Sequence, residues 1–348
     1  MTAAADLASS YDLVVIGGGP AGYTAALYAS RAGLEPICIE GFEAGGQIAK
    51  SARVENFPGA PGITGADLSW RIREQAEEFG TRIVVDDVID VDFSRRPFVV
   101  VAAGGLFTGD AVIVATGSKP RSLGLAQETD LVGRGVAYCA ICDGAFYEGQ
   151  EVAVVGGGNA ALSEALQLAR IASKVTLVHR RWQFRAESIV EEAVRNEDRI
   201  ELAMPAVVDE LVTDETECLS AVRLHHLTTD ERTSIDVTGL FVAVGHEPAS
   251  ALFAPYLKTH SGHITTTPGG TATSVAGVFA AGDVVDSRYR QAITAAASGC
   301  MAALDAERWL STNDSTDPGD ADGFDETGDP ESAAVPAPRP VPSQETRC

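Results

Sequence analysis

The sequence predicts an α/β fold with two doubly wound dinucleotide-binding units, one inserted into the other. Three observations carry this. An apolar run at residues 12–16 meets a glycine-rich turn, the same pattern returns at 151–161, and an apolar run at 274–281 reads as a late return to the first unit. At 348 residues the chain is long enough for about two domains with cores of their own.

Each element follows from local pattern. Residues 12–16 form a strand, Gly17, Gly18, Gly19, Pro20, Ala21 and Gly22 the tight turn, and the alanine-rich stretch 23–31 a helix. A second strand, 35–39, ends in Glu40, about 20 residues beyond the glycines, where an acid can accept from a ribose hydroxyl. Glycines let the backbone approach a pyrophosphate, and the helix start offers amide donors and a positive dipole end. The pattern recurs as strand 151–155, then Gly156, Gly157, Gly158, Asn159 and Ala160, and a helix to about 171. Here strand 174–178 ends not in an acid but in His179, Arg180 and Arg181, with Arg185 a turn further on. Such a cationic cluster suits a 2′-phosphate, which guanidinium groups bind bidentately, with His179 as spacing or a ring contact. Strand 274–281 leads into Gly282 and Asp283, and 291–310 reads as one long helix. From about 311 the composition turns to Asp, Gly, Ser and Pro, which predicts a disordered tail over 311–348.

Composition excludes several functions. Acidic residues outnumber basic ones 49 to 26, for a formal charge of −23, so nucleic acid and anionic membranes are poor partners. Ordinary acidic solubility would account for this charge; a surface adapted to high salt, where repulsion is screened, is the reading taken here. No charged and apolar leader opens the chain and no apolar run reaches about 18 residues, which predicts a soluble cytoplasmic protein. Six cysteines do not follow the even framework of a stapled secreted domain. Cys38, Cys218 and Cys300 read as small apolar residues inside elements, and Cys348 as incidental.

The remaining pair, Cys139 and Cys142 in Cys-Ala-Ile-Cys-Asp, lies shortly before the second fingerprint. Spacing alone admits a structural bridge, half a zinc site or a redox dithiol. Zinc needs about four ligands and no second pair supplies them.

With these motifs in this order, the chain resembles the low-molecular-weight thioredoxin reductases, pyridine nucleotide disulfide oxidoreductases that carry FAD. The likeness runs from about residue 11 to 310. It rests on the glycines at 17–22, Gly45-Gly46-Gln47, Val54-Glu55-Asn56-Phe57-Pro58-Gly59, Ala115-Thr116-Gly117 and the Cys139–Gly144 stretch. Further along it rests on Gly156–Asn159, His179-Arg180-Arg181, Gly245-His246, Ala281-Gly282-Asp283 and Arg290-Gln291-Ala292. The resemblance implies an FAD domain from 1–120 and 246–310, an NADPH domain with the redox pair at 121–245, and a homodimer. It also implies rotation of the NADPH domain about a two-stranded hinge near 118–121 and 244–248. Gln47, Asn56, Thr116, Asp283 and Gln291 match flavin-contacting positions. NADPH is expected to reduce FAD, FAD the Cys139/Cys142 disulfide, and the dithiol a thioredoxin. By the same resemblance Cys142 would face the flavin and Cys139 would exchange with the protein substrate, and the adjacent Asp143 can relay the proton. Three rivals share the fold: a dithiol oxidase without nicotinamide, a reductase fed by another donor, and the flavoprotein subunit of alkyl hydroperoxide reductase, which would need an N-terminal extension. A non-enzymatic redox sensor is a rival of another class.

Overall fold

The computed structural model describes residues 9–313. The first sheet begins with β1 (Ser9–Ile16), β2 (Pro36–Ile39) and β3 (Arg82–Val84), all parallel. A meander of β4 (Val88–Asp92), β5 (Phe98–Ala102) and β6 (Gly105–Val114) returns β6 beside β1, giving the order β3-β2-β1-β6-β5-β4. Helix α1 (Pro20–Arg31) crosses between β1 and β2, and α2 (Gly65–Glu78) precedes β3.

After β7 (Ser118–Pro120) the chain leaves this sheet and builds a second one. Its strands are β8 (Val136–Ala137), β9 (Glu151–Val155), β10 (Lys174–Val178), β11 (Ile200–Ala203) and β15 (Gly239–Val242), in the order β11-β10-β9-β15-β8 and all parallel. An antiparallel sheet of β12 (Ala206–Thr213), β13 (Leu219–His226) and β14 (Arg232–Asp236) packs on one side. Helices α3 (Ala140–Asp143), α4 (Asn159–Leu168) and α5 (Ser188–Arg195) belong to this unit.

The chain then returns through β16 (His246–Pro248), which pairs antiparallel with β7. A small hairpin, β17 (Thr259–His260) and β18 (His263–Ile264), follows. Strand β19 (Val278–Ala280) joins the first sheet beside β6, and α6 (Ala292–Asn313) packs on α1. The two segments expected as a hinge, 118–121 and 244–248, are thus the two chain connections between the units, paired to each other. Each large sheet has an apolar cluster on both faces, as doubly wound sheets require.

Boundaries shift where local chemistry intervenes. Helix α1 starts at Pro20 rather than 23, because proline at the first helical position loses no hydrogen bond. The strand expected over 274–281 shortens to β19, since Val278 N–H bonds back to Val275 C=O around Gly277 at φ +85°. Helix α4 ends at Leu168 and gives way to turns through Ala172. Helix α6 runs on to Asn313, so residues 311–313 of the expected tail are helical; the rest of that tail, with Cys348, lies outside the described residues. Cys38 is fully buried in β2 and Cys300 lies in α6, but Cys218 sits in the turn before β13 rather than inside an element. Among the described residues no helix is long and apolar enough to cross a membrane.

Candidate functional site: two fingerprints and a redox disulfide

At the first fingerprint, close approach explains the glycines. A Cβ on Gly22 would collide with the Gly17 carbonyl, and one on Gly17, at φ +118°, with the Ala115 carbonyl. The turn is therefore locked between β1, α1 and the end of β6. Helix α1 begins on Gly19, with Pro20 next, no side-chain cap and no acid in its first turn. Helix α4 likewise begins on Gly158 with no side-chain cap and no early acid. By contrast α2 is capped by the Thr64 hydroxyl, which accepts from Asp67 N–H, and carries Asp67 in its first turn. Uncapped amide donors at both glycine turns fit the phosphates of a dinucleotide.

Glu40 stands at the end of β2 beside Gly18, but its carboxylate turns inward. Tyr23 Oη donates to it at 2.6 Å and Arg73 Nε at 3.0 Å, and the Glu40 side chain is 2% exposed. A ribose hydroxyl would have to share this carboxylate with Arg73. The same Tyr23 hydroxyl accepts from Gly45 N–H at 3.2 Å, so the network also holds the loop that presents Gly46 and Gln47. Burial and the adjacent Glu40 push the Tyr23 phenol well above its ordinary range.

Thr116 and Gly117 stitch the start of the crossing to its return. Thr116 Oγ1 donates to Ala249 C=O at 2.7 Å, and Gly117 C=O accepts from Ala249 N–H. Asp283 follows β19 in a short 3-10 turn, where burial pushes its carboxyl up to about 6. Ala292 opens α6, with Gln291 just before it.

At the second fingerprint His179 is a wedge. Its ring fills the space a Gly157 Cβ would need, packs on Phe184 and bonds to Gln183 C=O at 3.1 Å. Arg185 N–H donates to Gly157 C=O at 2.6 Å, which brings the 180–185 loop against the glycine turn. Arg180, Arg181 and Arg185 are exposed, as are Asn159 and Ala160, and none of the three arginines forms an ion pair with another described residue. In a chain with 49 acidic residues, three neighbouring unpaired guanidinium groups fit an external anion.

Cys139 and Cys142 form a disulfide at the first turn of α3. The pair belongs to the second unit, yet it lies against the first. Gln291 Nε2 is 3.9 Å from each sulfur and donates to the Tyr289 and Arg290 carbonyls at 3.2 Å. Its Oε1 accepts from Asn56 Nδ2 at 3.4 Å. Predicted site residues from three distant parts of the chain, Asn56, the Cys139/Cys142 pair and Gln291, thus converge. Asp143, next to Cys142, is pushed up to about 6 by burial, which suits proton transfer near neutral pH.

Sequence reasoning missed two groups here, Asp286 and Glu164, and did not join Arg290 to His246. The Asp286 carboxylate accepts from the Arg288, Tyr289 and Arg290 N–H groups at 2.8, 2.9 and 3.1 Å, holding a turn in which Arg290 adopts φ +49°. Arg290 Nη1 donates to His246 Nδ1 at 2.6 Å, and Oε2 of Glu164 in α4 is buried without a hydrogen-bond partner among the described residues. An Asp that can accept from the backbone a few residues on is the available signal for the first; the others depend on tertiary placement.

Two dinucleotide folds around a disulfide define a class of nucleotide-linked disulfide oxidoreductases. Residues 11–299 match the family described as pyridine nucleotide-disulphide oxidoreductase, and the chain belongs to it. It is 48% identical over 306 residues to a thioredoxin reductase of Vibrio cholerae, covering 86% of this chain and 96% of that one. It is also 47% identical over 307 residues to a Pseudomonas fluorescens protein named glucosaminate ammonia-lyase, covering 86% and 95%. Among solved structures, a thioredoxin reductase from Giardia duodenalis matches with a TM-score of 0.83 at 40% identity, over 87% of this chain and 99% of that one.

Proposed function

We infer that the chain is a thioredoxin-disulfide reductase that draws on NADPH. The observation that carries this reading is the Cys139–Cys142 disulfide lying against Gln291 across the unit boundary. A redox disulfide at that junction favours electron transfer over the lyase chemistry named for the Pseudomonas relative. Residues 1–120 and 246–310 are proposed to form the FAD domain and 121–245 the NADPH domain. Bound FAD would supply a two-electron carrier between the pyridine nucleotide and the disulfide.

The residues then have definite tasks. Gly17, Gly19, Pro20, Ala21 and Gly22 would hold the FAD pyrophosphate, Glu40 its adenosine ribose, and Gly46, Gln47, Asn56, Ala115, Thr116, Gly117, Gly282, Asp283, Arg290, Gln291 and Ala292 the rest of the group. Gly156, Gly158, Asn159 and Ala160 would hold the NADPH pyrophosphate, with Arg180, Arg181 and Arg185 on the 2′-phosphate. Two electrons open the Cys139–Cys142 disulfide to a thiol and a thiolate, with Asp143 as the proposed donor of the one proton taken up, and the second proton leaves with the reduced thioredoxin instead of settling on Cys139. The Cys139 thiolate attacks the thioredoxin disulfide, forming a mixed disulfide and releasing one thioredoxin thiolate. Cys142 then attacks Cys139, expelling reduced thioredoxin and restoring the disulfide. Cys139 must reach a protein partner for this step, so the second unit has to swing away about the β7–β16 pair. A homodimer, a cytoplasmic location and adaptation to high salt complete the proposal.

The test is a Cys139→Ser/Cys142→Ser variant mixed anaerobically with NADPH and then thioredoxin. The flavin should bleach at the wild-type rate while thioredoxin stays oxidised. Retained thioredoxin turnover overturns the reading, and an unbleached flavin favours the nicotinamide-independent rivals.

A further inference from the structure

Two acids follow closely in the chain on the three unpaired guanidinium groups of Arg180, Arg181 and Arg185, and both are engaged elsewhere. Glu191 of α5 accepts from Arg195 Nε and Nη2 on the same helix, at 2.9 and 2.7 Å. Glu187 is only two residues beyond Arg185, at most about 7 Å of chain, a span that two long side chains close easily. Its carboxylate nevertheless accepts from Asn159 Nδ2 at 3.1 Å, and its own N–H donates to Asn159 Oδ1 at 2.7 Å. Asn159 is the first residue of α4, so one amide ties the end of the arginine loop to the second glycine turn. The chemistry selects asparagine. With the Glu187 N–H fixing Oδ1, Nδ2 is left to face the carboxylate. Aspartate would repel that carboxylate and alanine would release it. The loop has a separate anchor in the bond from Arg185 N–H to Gly157 C=O, so losing the Asn159 amide frees the carboxylate without freeing the loop at Arg185.

We propose that Asn159 is a positioning residue for recognition of the 2′-phosphate, its side-chain amide holding the Glu187 carboxylate away from Arg180, Arg181 and Arg185 so that these stay uncompensated for the nucleotide. This deepens the NADPH reading given under Proposed function and rests on it. The pyrophosphate role given there to Asn159 falls to its backbone, at the uncapped start of α4. A released Glu187 would be an internal anion competing with the 2′-phosphate for the same guanidinium groups. Because Glu187 and the arginines are exposed, that competition is modest, about threefold to fivefold in affinity.

The experiment is titration calorimetry of the oxidised, FAD-loaded protein with 2′-phospho-ADP-ribose and with ADP-ribose. These ligands differ only in the 2′-phosphate and carry no hydride. The ratio of their Kd values cancels any effect on the pyrophosphate, which both share. Asn159→Ala should lower the wild-type preference for the 2′-phosphate about threefold to fivefold. Glu187→Gln keeps an acceptor for Asn159 Nδ2 and should hold at least the wild-type preference. The double variant Asn159→Ala/Glu187→Gln should return to within about twofold of Glu187→Gln, since no carboxylate is left to release. A residue that only braced the loop would leave the double variant as low as Asn159→Ala. A preference unchanged in Asn159→Ala, or still low in the double variant, overturns the inference. A wild type that binds both ligands equally defeats the NADPH reading as well, whereas a wild-type preference that Asn159→Ala leaves intact defeats the role of Asn159 alone.

Discussion

Replacing Asp143 by asparagine should slow the enzyme and stabilise it at once. Burial raises the Asp143 carboxyl from 3.8 to about 6, so the folded protein disfavours its ionised form. The native state therefore binds more protons than the unfolded chain between these two values, and stability falls as pH rises through that window. Above it the penalty is constant, at about 3 kcal/mol for a shift of roughly two units. Asp143→Asn removes the charge and keeps the shape. At neutral pH its unfolding free energy should rise by about 1–3 kcal/mol, and the gain should vanish below about pH 4, where the wild-type carboxyl is protonated in both states. The kinetic effect has the opposite sign. At pH 7 about one carboxyl in ten carries the proton that the opening disulfide needs, and the rate should drop tenfold per unit of rising pH. The asparagine variant should be slower by about 10²–10⁴ and lack that slope. Denaturant unfolding at two pH values gives the first quantity, and rapid-mixing reoxidation of the reduced flavin by the disulfide gives the second. Unchanged or lower stability at pH 7 would refute the burial argument. A fast, pH-dependent variant would refute the proton-relay role.

Arg180→Ala/Arg181→Ala should weaken NADPH binding by about 10–10² while leaving NADH kinetics little changed, since only the 2′-phosphate loses its charged partners; steady-state KM values for both nucleotides check this. Tyr23→Phe removes the 2.6 Å bond to Glu40 and the acceptor for Gly45 N–H, which should cost about 1–3 kcal/mol of stability and speed flavin loss, read by thermal unfolding and flavin release. Asp286→Ala frees the Arg288–Arg290 turn, in which Arg290 is held at φ +49°, and should slow flavin-to-disulfide transfer more than NADPH-to-flavin transfer in single-turnover measurements.

Much of this site is legible in the sequence because glycine turns and helix starts are local. Gly17, Gly22 and Gly157 are forced by atoms that would occupy a Cβ position, so their spacing carries the geometry with it. The nested order of the sheets is also readable, since β19 lies far from β1 in the chain yet carries the apolar run of a central strand. Glu40 shows where such reading stops. Its position after β2 follows from the pattern, but its inward turn depends on Tyr23 and on Arg73 of α2, which no local rule connects. His179 is similar: the motif marks the loop, and only packing against Gly157 and Phe184 shows the ring as a wedge. The Gln291 contact with the Cys139–Cys142 disulfide depends on how two separately folded units lie against each other.

The late arrival of β19 has a consequence for how the chain is made. Strand β6 bonds β19 along 112–114, and α6 packs on α1, yet both partners lie beyond the whole inserted unit. On the ribosome, every strand of the second sheet emerges before the first sheet can receive its last one. The inserted unit can therefore finish its core while the surrounding one waits with an open edge at β6 and an apolar α1 face uncovered. Closing that ring joins segments of high sequence separation, a slow step for any fold. Nascent chains released before residue 278 should thus show a protease-resistant second unit beside a first unit that aggregates.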